Sequence, residues 1–377
     1  MTVIARAAVL EKMGHTSPYA DSQPLKITEV QLDAPKAGEV LVRIKAAGLC
    51  HSDLSVINGD RPRPMPMALG HEAAGIVEAL GPDVTDLEVG DHVVMVFMPS
   101  CGHCAPCAEG RPALCEPGAK ANGEGVLLTG RRAFICEDEP QLNHHLGCSA
   151  FATHAVVSRR SLVKIDKDLS FEHAALFGCA VLTGVGAVVN SAELKAGQSA
   201  VVIGLGGVGL AAVLGALAAG ASPIVAVDLN PDKLALAASF GAVHTVNASD
   251  PDAVEQVRAL TNGGADFAFE MAGSARALEA AWKMTRRGGT TVTAGLPPPD
   301  AVLPVNIVSL VAEERTLKGA YIGTCVPSRD IPRFIGLFKA GRLPVDRLLS
   351  GTLTLDQING AFDALADGMA VRQIIHL

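Results

Sequence analysis

The sequence predicts an α/β protein in which a β-rich, barrel-like domain is interrupted by a doubly wound domain with a parallel sheet. Two observations support this fold class. Residues 1–100 contain short apolar and alternating runs separated by Gly and Pro, which is typical of a barrel. Between residues 228 and 323, strand-like and helix-like runs alternate, as they do in a parallel sheet covered by helices. At 377 residues, the chain is long enough for two hydrophobic cores.

Hydrophobic periodicity predicts the strands of the barrel-like region. Residues 39–47 (EVLVRIKAA) alternate polar and apolar side chains, which predicts a half-buried strand. The polar, glycine-rich stretch at 117–147 is too long for a simple connection and is interpreted as an insertion that borders a site. His144 and His145, near its end, are interpreted as strand caps or solvent-facing residues, with a functional role as the alternative.

The last third of the chain contains further element signals. Residues 316–321 predict the last strand of the parallel sheet, and residues 332–339 and 355–365 predict two helices. A capping box formed by Thr354 and Gln357 marks the start of the second helix.

Composition and charge exclude several classes of partner. The net charge is −8 and no basic cluster is present, so neither nucleic acid nor an anionic membrane is expected to bind. The N-terminal stretch lacks the layout of a signal peptide. The apolar stretch 200–227 is interrupted by six glycines and Pro223, which disfavours a transmembrane helix. These features predict a cytoplasmic protein.

The nine cysteines are unevenly distributed, which indicates metal binding rather than disulfides. Cys101, Cys104, Cys107 and Cys115 have the spacing C-x2-C-x2-C-x7-C, and four thiolates on one loop can close a tetrahedron around Zn²⁺ as a structural site. An iron–sulfur cluster is the alternative, although the last gap fits ferredoxin spacings poorly. His103 is interpreted as a bystander. The remaining cysteines are scattered: Cys50, Cys136, Cys148, Cys179 and Cys325.

Residues 201–228 predict a dinucleotide-binding unit of the Rossmann type. A short apolar strand leads into a glycine-rich turn and a helix, where one glycine permits the turn, one lets the backbone approach a pyrophosphate, and one lets the helix pack on the strand. Asp228 ends the next strand, nineteen residues past Gly209, where a carboxylate binds a ribose hydroxyl and repels a 2′-phosphate. The unit therefore predicts NAD rather than NADP. The glycines of the motif are Gly204, Gly206, Gly207 and Gly209.

A second metal site is predicted from three separated residues. Cys50, His71 and Cys179 each stand beside a glycine at a predicted strand end or helix start. Two thiolates and one imidazole would leave a zinc ion with an open fourth position, as in a catalytic site. The alternative is that each residue is an ordinary core residue.

These motifs together resemble the zinc-containing medium-chain alcohol dehydrogenases. In chain order, the resemblance rests on Cys50-x-Ser52-Asp53, GHEAAGIV from Gly70, the four-cysteine loop, Gly178-Cys179, the glycine motif and VRQII at 371–375, with compatible spacing along almost the whole chain. The insertion is similar to that of animal and plant alcohol dehydrogenases and glutathione-dependent formaldehyde dehydrogenases. The resemblance implies a GroES-like catalytic domain over 1–181, a Rossmann coenzyme domain over 182–323, and a C-terminal return to the catalytic domain over 324–377.

The resemblance also implies an activity and residue roles. Hydride would pass reversibly from a primary or secondary alcohol to NAD⁺, and two zinc ions per chain would be bound, one catalytic and one structural. Asp53 would orient His71, Glu72 would assist ligand exchange, Ser52 would take the proton of the alcohol, and Phe97 would line the pocket. Beyond the glycine motif, the implied cofactor-binding residues are Asp228 and Lys233 at the adenosine ribose, His51 and Arg372 at the pyrophosphate, and Thr183 and Val208 at the nicotinamide.

The sequence departs from the best-known members at the end of the proton relay. Many of them have a histidine where this chain has Ser55, so the relay would end through water or through His51. Arg61 and Arg63, in a Pro-rich loop, would favour an anionic or thiol-conjugate substrate, with a solvated loop as the alternative.

Two alternative functions remain at this point. One is a glutathione- or thiol-dependent formaldehyde dehydrogenase, and the other is a non-catalytic NAD-binding protein. In either case, the apolar stretch 302–311 predicts pairing across a two-fold axis in a homodimer, with a tetramer as the alternative.

Overall fold

The computed structural model describes residues 2–135, 141–241 and 243–377, so Cys136 of the insertion lies outside the described residues. The chain divides into two compact units. The first unit comprises Met1–Cys179, Val326–Pro332 and Leu349–Leu377. The second unit comprises Ala180–Cys325 and Arg333–Leu348.

The first unit is built on two β-sheets, which confirms the β-rich, barrel-like prediction. Most of the strand pairs are antiparallel, as short connections with frequent turns require. The five-stranded sheet has the order Phe134–Ile135, Leu25–Leu32, Val3–Leu10, Met67–Ala68, Asn143–His144. The seven-stranded sheet has the order Leu162–Ile165, His92–Met95, Ala73–Leu80, Glu39–Gly48, Gln373–His376, Gly351–Thr354, with His154–Ser158 also paired to Glu39–Gly48.

The strand Glu39–Gly48 is buried almost throughout, so the half-buried strand predicted from its alternation is wrong. Only Arg43 is exposed, because both faces of the strand are covered: the helix Phe171–Leu176 packs against it, and Leu41 belongs to a hydrophobic core cluster. The buried carboxylate of Glu39 accepts hydrogen bonds from Thr129 Oγ1 at 2.8 Å and Arg131 Nε at 2.9 Å. These bonds offset the cost of burying a charge and attach the insertion to the sheet.

Short helices of the first unit connect these strands, and the insertion at 117–147 also contains regular secondary structure. The insertion contains the helix Glu116–Glu124 and two of the short strands of the five-stranded sheet. The predicted capping box is confirmed, since the backbone N–H of Thr354 donates to Gln357 Oε1 at 2.9 Å. The α-helices are Tyr19–Ser22, His51–Ile57, Ala105–Ala108, Glu116–Glu124, Phe171–Leu176 and Ile358–Ala366, and the 3₁₀ turns are Pro112–Leu114, Arg159–Ser161 and Leu355–Gln357.

The helix Pro327–Lys339 begins earlier than the predicted start at residue 332. The carboxylate of Asp330 accepts the backbone N–H of Val326 at 2.8 Å, which satisfies a donor at the N-terminal end of the helix. Pro332 consequently lies inside the helix and not at its first position.

The second unit is a six-stranded parallel sheet with helices, which confirms the doubly wound prediction. The strands have the spatial order third, second, first, fourth, fifth, sixth, which is the order of dinucleotide-binding folds. In that spatial order they are Val243–Asn247, Ile224–Asp228, Ala200–Ile203, Ala265–Glu270, Thr285–Thr293 and Thr316–Gly319. The α-helices are Ala180–Gly186, Gly207–Ala219, Pro231–Ser239, Ala253–Leu260, Ala275–Met284 and Ile307–Ala312, with a π-helical segment at Ala187–Ser191 and 3₁₀ turns at Ile322–Thr324 and Val345–Leu348.

One edge of the second unit exposes apolar side chains. The last strand, Thr316–Gly319, is exposed along its length and ends before the predicted residue 321. The preceding helix, Ile307–Ala312, exposes Val308 to 73%. This helix takes up the second half of the apolar stretch 302–311. None of the helices among the described residues has the length and apolar character needed to cross a membrane.

Candidate active site

Cys50 is positioned by the junction between a buried strand and a short helix. It directly precedes the helix His51–Ile57, two residues after the strand Glu39–Gly48 ends. Its backbone N–H donates to Asp53 Oδ2 at 3.2 Å, which satisfies one free donor of the helix N-terminus. The Cys50 thiol is thereby held on rigid backbone inside the first unit.

His71 lies two residues before the strand Ala73–Leu80, which pairs with Glu39–Gly48. It follows Gly70, which has φ of +93°, and a Cβ at residue 70 would lie 2.3 Å from the backbone nitrogen of Phe151. Only glycine fits at this position. The Nδ1 atom of His71 lies 2.8 Å from Asp53 Oδ1, so the imidazole orientation is set and Nε2 is left for another partner.

Cys179 completes a buried group of three metal-type donors. It lies three residues after the helix Phe171–Leu176. The donor atoms of Cys50, His71 and Cys179 all lie within 4.8 Å of one another, and all three residues are buried. Two sulfurs and one imidazole nitrogen match the preferred ligands of Zn²⁺ and leave a fourth position open. The fold thus brings together three residues that are far apart in sequence.

The surrounding charges favour the thiolate form of Cys50. A hydrogen bond from Cys179 lowers the pKa of the Cys50 thiol well below its ordinary value, and the charge of Arg372 acts in the same direction against the effect of burial. Burial alone would raise the pKa of Asp53, but the charge and hydrogen bond of His71 lower it below the ordinary range. Asp53 is therefore held as a carboxylate behind the imidazole.

Glu72 and Arg372 form a buried ion pair beside these donors. Arg372 Nη1 lies 3.2 Å from Glu72 Oε2 and donates to the carbonyl of Leu49 at 2.7 Å. Burial raises the pKa of Glu72 to about 7, against the opposing charge of Arg372. The guanidinium of Arg372 thus lies inside the first unit, one residue before the strand Gln373–His376.

The predicted proton-relay residues lie on one helix turn. His51 is exposed and Ser52 is partly exposed, whereas Asp53, which is predicted to orient His71, is buried on the same helix, His51–Ile57. The hydroxyl of Ser55 donates to the backbone carbonyl of His51 at 2.9 Å. The buried ring of Phe97 lies edge-on to His71, with ring centroids 5.2 Å apart.

The four-cysteine loop forms a separate group of donors. The sulfurs of Cys101, Cys104, Cys107 and Cys115 lie within 4.8 Å of one another, which fits a closed tetrathiolate zinc site. Desolvation opposes ionisation of Cys101, but backbone N–H groups of His103 and Cys104 lower the pKa of its thiol to about 6. The exposed side chain of His103 is outside the group, with Nδ1 3.0 Å from the carbonyl oxygen of Cys101.

The glycine motif in the second unit forms the expected strand–turn–helix. The helix Gly207–Ala219 begins after Gly206 and presents its N-terminal N–H groups, which suit a diphosphate. A Cβ at Gly209 would lie 1.7 Å from the carbonyl oxygen of Gly204, so the close helix–turn contact requires glycine.

Asp228 faces this turn from the end of the neighbouring strand. Its Oδ2 accepts the backbone N–H of Leu205 at 2.6 Å, and its Oδ1 accepts that of Asn230 at 2.9 Å. A cavity of about 420 Å³ is lined by Gly204, Asp228 and side chains of the following strand–helix connections. Lys233, in the first turn of the next helix, is partly exposed.

The other predicted cofactor residues of the second unit lie on two contacting helices. Thr183 is buried in the helix Ala180–Gly186, and Val208 is partly exposed in the first turn of the helix Gly207–Ala219. Their role at a nicotinamide stays a prediction.

His144 and His145 do not face solvent, so the solvent-facing part of the interpretation is wrong, although His144 does lie at the end of a strand. Both are buried, because the insertion returns to the five-stranded sheet at Asn143–His144. His144 Nε2 accepts the backbone N–H of Ala133 at 2.9 Å, and His145 Nδ1 lies 3.3 Å from Asp53 Oδ1. The apolar context of the segment LNHHLGCSAF was the available signal for burial.

The two arginines of the Pro-rich loop are partly buried. Arg63 Nη1 donates to the backbone carbonyl of Asn122 at 3.2 Å, which attaches the loop to the insertion helix. The side-chain Nδ2 of Asn122 in turn donates to the carbonyl of Phe97 at 2.8 Å. A purely solvated loop is therefore a poor description of Arg63, and Arg61 is also partly buried.

Comparisons with known proteins identify the family of the chain. The family models described as "Alcohol dehydrogenase GroES-like domain" and "Zinc-binding dehydrogenase" match residues 36–167 and 207–340. The chain is 36% identical over 362 residues to the S-(hydroxymethyl)glutathione dehydrogenase of Paracoccus denitrificans, covering 94% of this chain and 96% of that protein. It is 36% identical over 380 residues to the class-3 alcohol dehydrogenase of Cereibacter sphaeroides, covering 98% and 99%.

A solved structure shows the same similarity. The crystal structure of benzyl alcohol dehydrogenase from Acinetobacter calcoaceticus matches with a TM-score of 0.92 at 33% identity, covering 100% of this chain and 99% of that chain. The matches extend along almost the full length of both chains. The chain therefore belongs to the zinc-containing medium-chain alcohol dehydrogenase family of NAD-dependent oxidoreductases.

Proposed function

We propose that this chain interconverts a primary or secondary alcohol and its aldehyde or ketone, with NAD as the hydride carrier. The observation that carries the proposal is the buried group of Cys50, His71 and Cys179, whose donor atoms lie within 4.8 Å of one another. Three protein donors with a free fourth position are typical of catalytic zinc sites, whereas four donors are typical of structural ones. We therefore propose two zinc ions per chain, one at this group and one at the four-cysteine loop.

Residues of the first unit would each have a separate role in alcohol oxidation. Zinc bound by the three donors would supply a Lewis acid that lowers the pKa of the alcohol hydroxyl. Asp53 would keep His71 in one orientation, Ser52 would accept the hydroxyl proton, and Phe97 would form a wall of the alcohol site. The proton would leave through water or the exposed His51, because the Ser55 hydroxyl is bonded to a backbone carbonyl.

The second unit would bind the coenzyme. The N-terminus of the helix Gly207–Ala219 would accept the pyrophosphate, and Asp228 and Lys233 would hold the adenosine ribose. Thr183 and Val208 would contact the nicotinamide. His51 and Arg372 are proposed pyrophosphate contacts, and Glu72 is proposed to assist ligand exchange at the metal. We propose residues 1–181 and 324–377 as the catalytic domain and 182–323 as the coenzyme domain.

Alcohol-dependent formation of NADH would test this function. We would mix the purified protein with NAD⁺ and a panel of short-chain, benzylic and long-chain alcohols, and measure absorbance with and without a zinc chelator. Cys179→Ser should abolish turnover and remove one of two zinc ions, while His103→Ala, a histidine outside both donor groups, should change neither. Full turnover by Cys179→Ser, or by zinc-free protein, would contradict the proposal.

A thiol-dependent formaldehyde dehydrogenase is the second candidate. It is favoured by the identity of 36% to the Paracoccus S-(hydroxymethyl)glutathione dehydrogenase and by the partly buried Arg61 and Arg63, which suit an anionic conjugate. Formaldehyde oxidation that requires added glutathione, with an increased KM for the adduct in Arg61→Ala, would support it. Formaldehyde oxidation without a glutathione requirement would exclude it, and equal KM values in wild type and Arg61→Ala would exclude the proposed role of Arg61.

We also propose a homodimer in the cytoplasm, with a tetramer as the alternative state. The exposed side chains of Val302, Ile307 and Val308 and the exposed edge strand Thr316–Gly319 provide an apolar surface next to unpaired backbone groups. The free thiols of the described cysteines suit a reducing compartment. Light scattering of wild type and Val308→Asp would test the dimer, since the variant should shift towards monomer.

A further inference from the structure

We propose that His145 is a positioning residue of the active site, whose imidazole holds the carboxylate of Asp53 and through it the orientation of His71. This inference rests on the proposed function in one respect, namely that His71 is a zinc ligand. It gives a role to the C-terminal end of the insertion at 117–147, for which the proposed reaction has no other role.

Two buried imidazole rings lie close to the same oxygen of the Asp53 carboxylate. Asp53 Oδ1 lies 2.8 Å from His71 Nδ1 and 3.3 Å from His145 Nδ1. The two imidazole rings are perpendicular, with centroids 5.6 Å apart. Each of the three side chains is at most 1% exposed. Among the described residues, His145 Nδ1 is a buried nitrogen with no hydrogen bond of standard geometry, and the Asp53 carboxylate at 3.3 Å is the charged group that it faces.

The backbone around His145 is built to hold the ring at this place. The carbonyl of His145 accepts the N–H groups of Cys148 and Ser149 at 2.9 and 3.1 Å, and the Ser149 hydroxyl accepts the N–H of His145 at 3.1 Å. The next residue, Ala150, donates to the carbonyl of Gly70 at 2.9 Å. The turn that carries His145 is therefore tied to the backbone immediately before His71.

One tautomer of the His145 imidazole suits this role. A neutral imidazole carries one N–H, on either Nδ1 or Nε2. With that hydrogen on Nδ1 it donates to the Asp53 carboxylate, whereas the other tautomer would direct a lone pair at a negative charge. A buried carboxylate that lacks such a donor is costly and less well fixed. Outer-shell partners of this kind typically change metal affinity by about 10- to 100-fold.

Zinc release and a cobalt spectrum would test the role of His145. His145→Ala should release the zinc of the Cys50 group to a chromophoric chelator about 10-fold faster or more, and should shift the visible absorption of the Co²⁺-substituted protein. His145→Asn should restore both, because its amide nitrogen can occupy the place of Nδ1. The matched control is His144→Gln, a change at the adjacent buried histidine, which should alter the melting temperature but not the spectrum.

The outcomes separate this inference from the proposed function. Wild-type zinc release and spectrum in His145→Ala would overturn it, as would a His145→Asn variant that behaves like His145→Ala. A third zinc equivalent that His145→Asn removes would also overturn it, since Asp53, His71 and His145 would then bind a cation themselves. If Cys50→Ser has the zinc content of wild type, the proposed function fails, and the failure does not depend on His145.

Discussion

Asp228→Asn would test the coenzyme site, because the carboxylate of Asp228 has a structural role in the glycine turn and a proposed role in binding NAD, and both can be measured. Its two oxygens accept the backbone N–H groups of Leu205 and Asn230 at 2.6 and 2.9 Å. The same carboxylate is proposed to bind a ribose hydroxyl of NAD. An amide has only one acceptor oxygen, so the variant can satisfy only one of the two N–H groups and offers a weaker partner to the ribose.

The size of both effects follows from these contacts. A hydrogen bond to a charged group contributes about 1–1.5 kcal/mol more than a neutral one, so NADH binding should weaken roughly 5- to 12-fold. If the amide nitrogen faces Leu205, whose side chain is buried, the unpaired N–H should lower the free energy of unfolding by about 1–3 kcal/mol. NADPH binding should strengthen, because the charge that repels a 2′-phosphate is gone.

Fluorescence titration with NADH and NADPH, together with thermal melting, would measure both tasks of Asp228. Asp232→Asn is the control, since Asp232 is an exposed carboxylate in the first turn of the following helix and should leave all three values near wild type. Unchanged affinities for NADH and NADPH in Asp228→Asn would refute the ribose contact. An unchanged melting temperature would refute the structural role of its bond to the turn.

Three further predictions follow from single sites. Cys107→Ser should lower the zinc content from two ions per chain to one and lower the melting temperature, and elemental analysis of zinc would show whether it does. Gly209→Ala should abolish NADH binding in a fluorescence titration while zinc content stays at two, because its Cβ would overlap the Gly204 carbonyl. Burial would raise the pKa of Glu39, but Arg131 and neighbouring donors lower it, so stability should be lost as the pH falls below the ordinary glutamate pKa of about 4.3. Denaturant unfolding of Glu39→Gln across this pH range should lack that loss.

Features encoded within short segments were predictable from the sequence. The strand, glycine turn and helix of the dinucleotide motif are consecutive, and the steric need for glycine at residue 209 arises from a carbonyl only five positions away. The four cysteines likewise span fifteen residues, so their spacing alone brings the sulfurs within reach of one ion. Local geometry determines both sites, and the alternation of strands and helices determined the parallel sheet.

The burial of polar residues was harder to predict, because it depends on distant partners. Arg372 is buried by contacts with Leu49 and Glu72, which are about 300 residues away in sequence. His145 is buried because the insertion returns to the sheet and reaches Asp53. Periodicity describes one element at a time, and it predicted a half-buried strand at residues 39–47 because it does not show what packs against each face of the strand.

The sequence by itself therefore determined the fold class, the nature of the coenzyme and the donor types available for zinc. Only the tertiary structure decided that Cys50, His71 and Cys179 lie within 4.8 Å of one another and that the Asp53 carboxylate lies between His71 and His145. The physical reason is the range of the interactions. Turns, caps and metal-binding loops form between near neighbours, whereas the group of Cys50, His71 and Cys179 joins residues up to about 130 positions apart, which only the folded chain brings together.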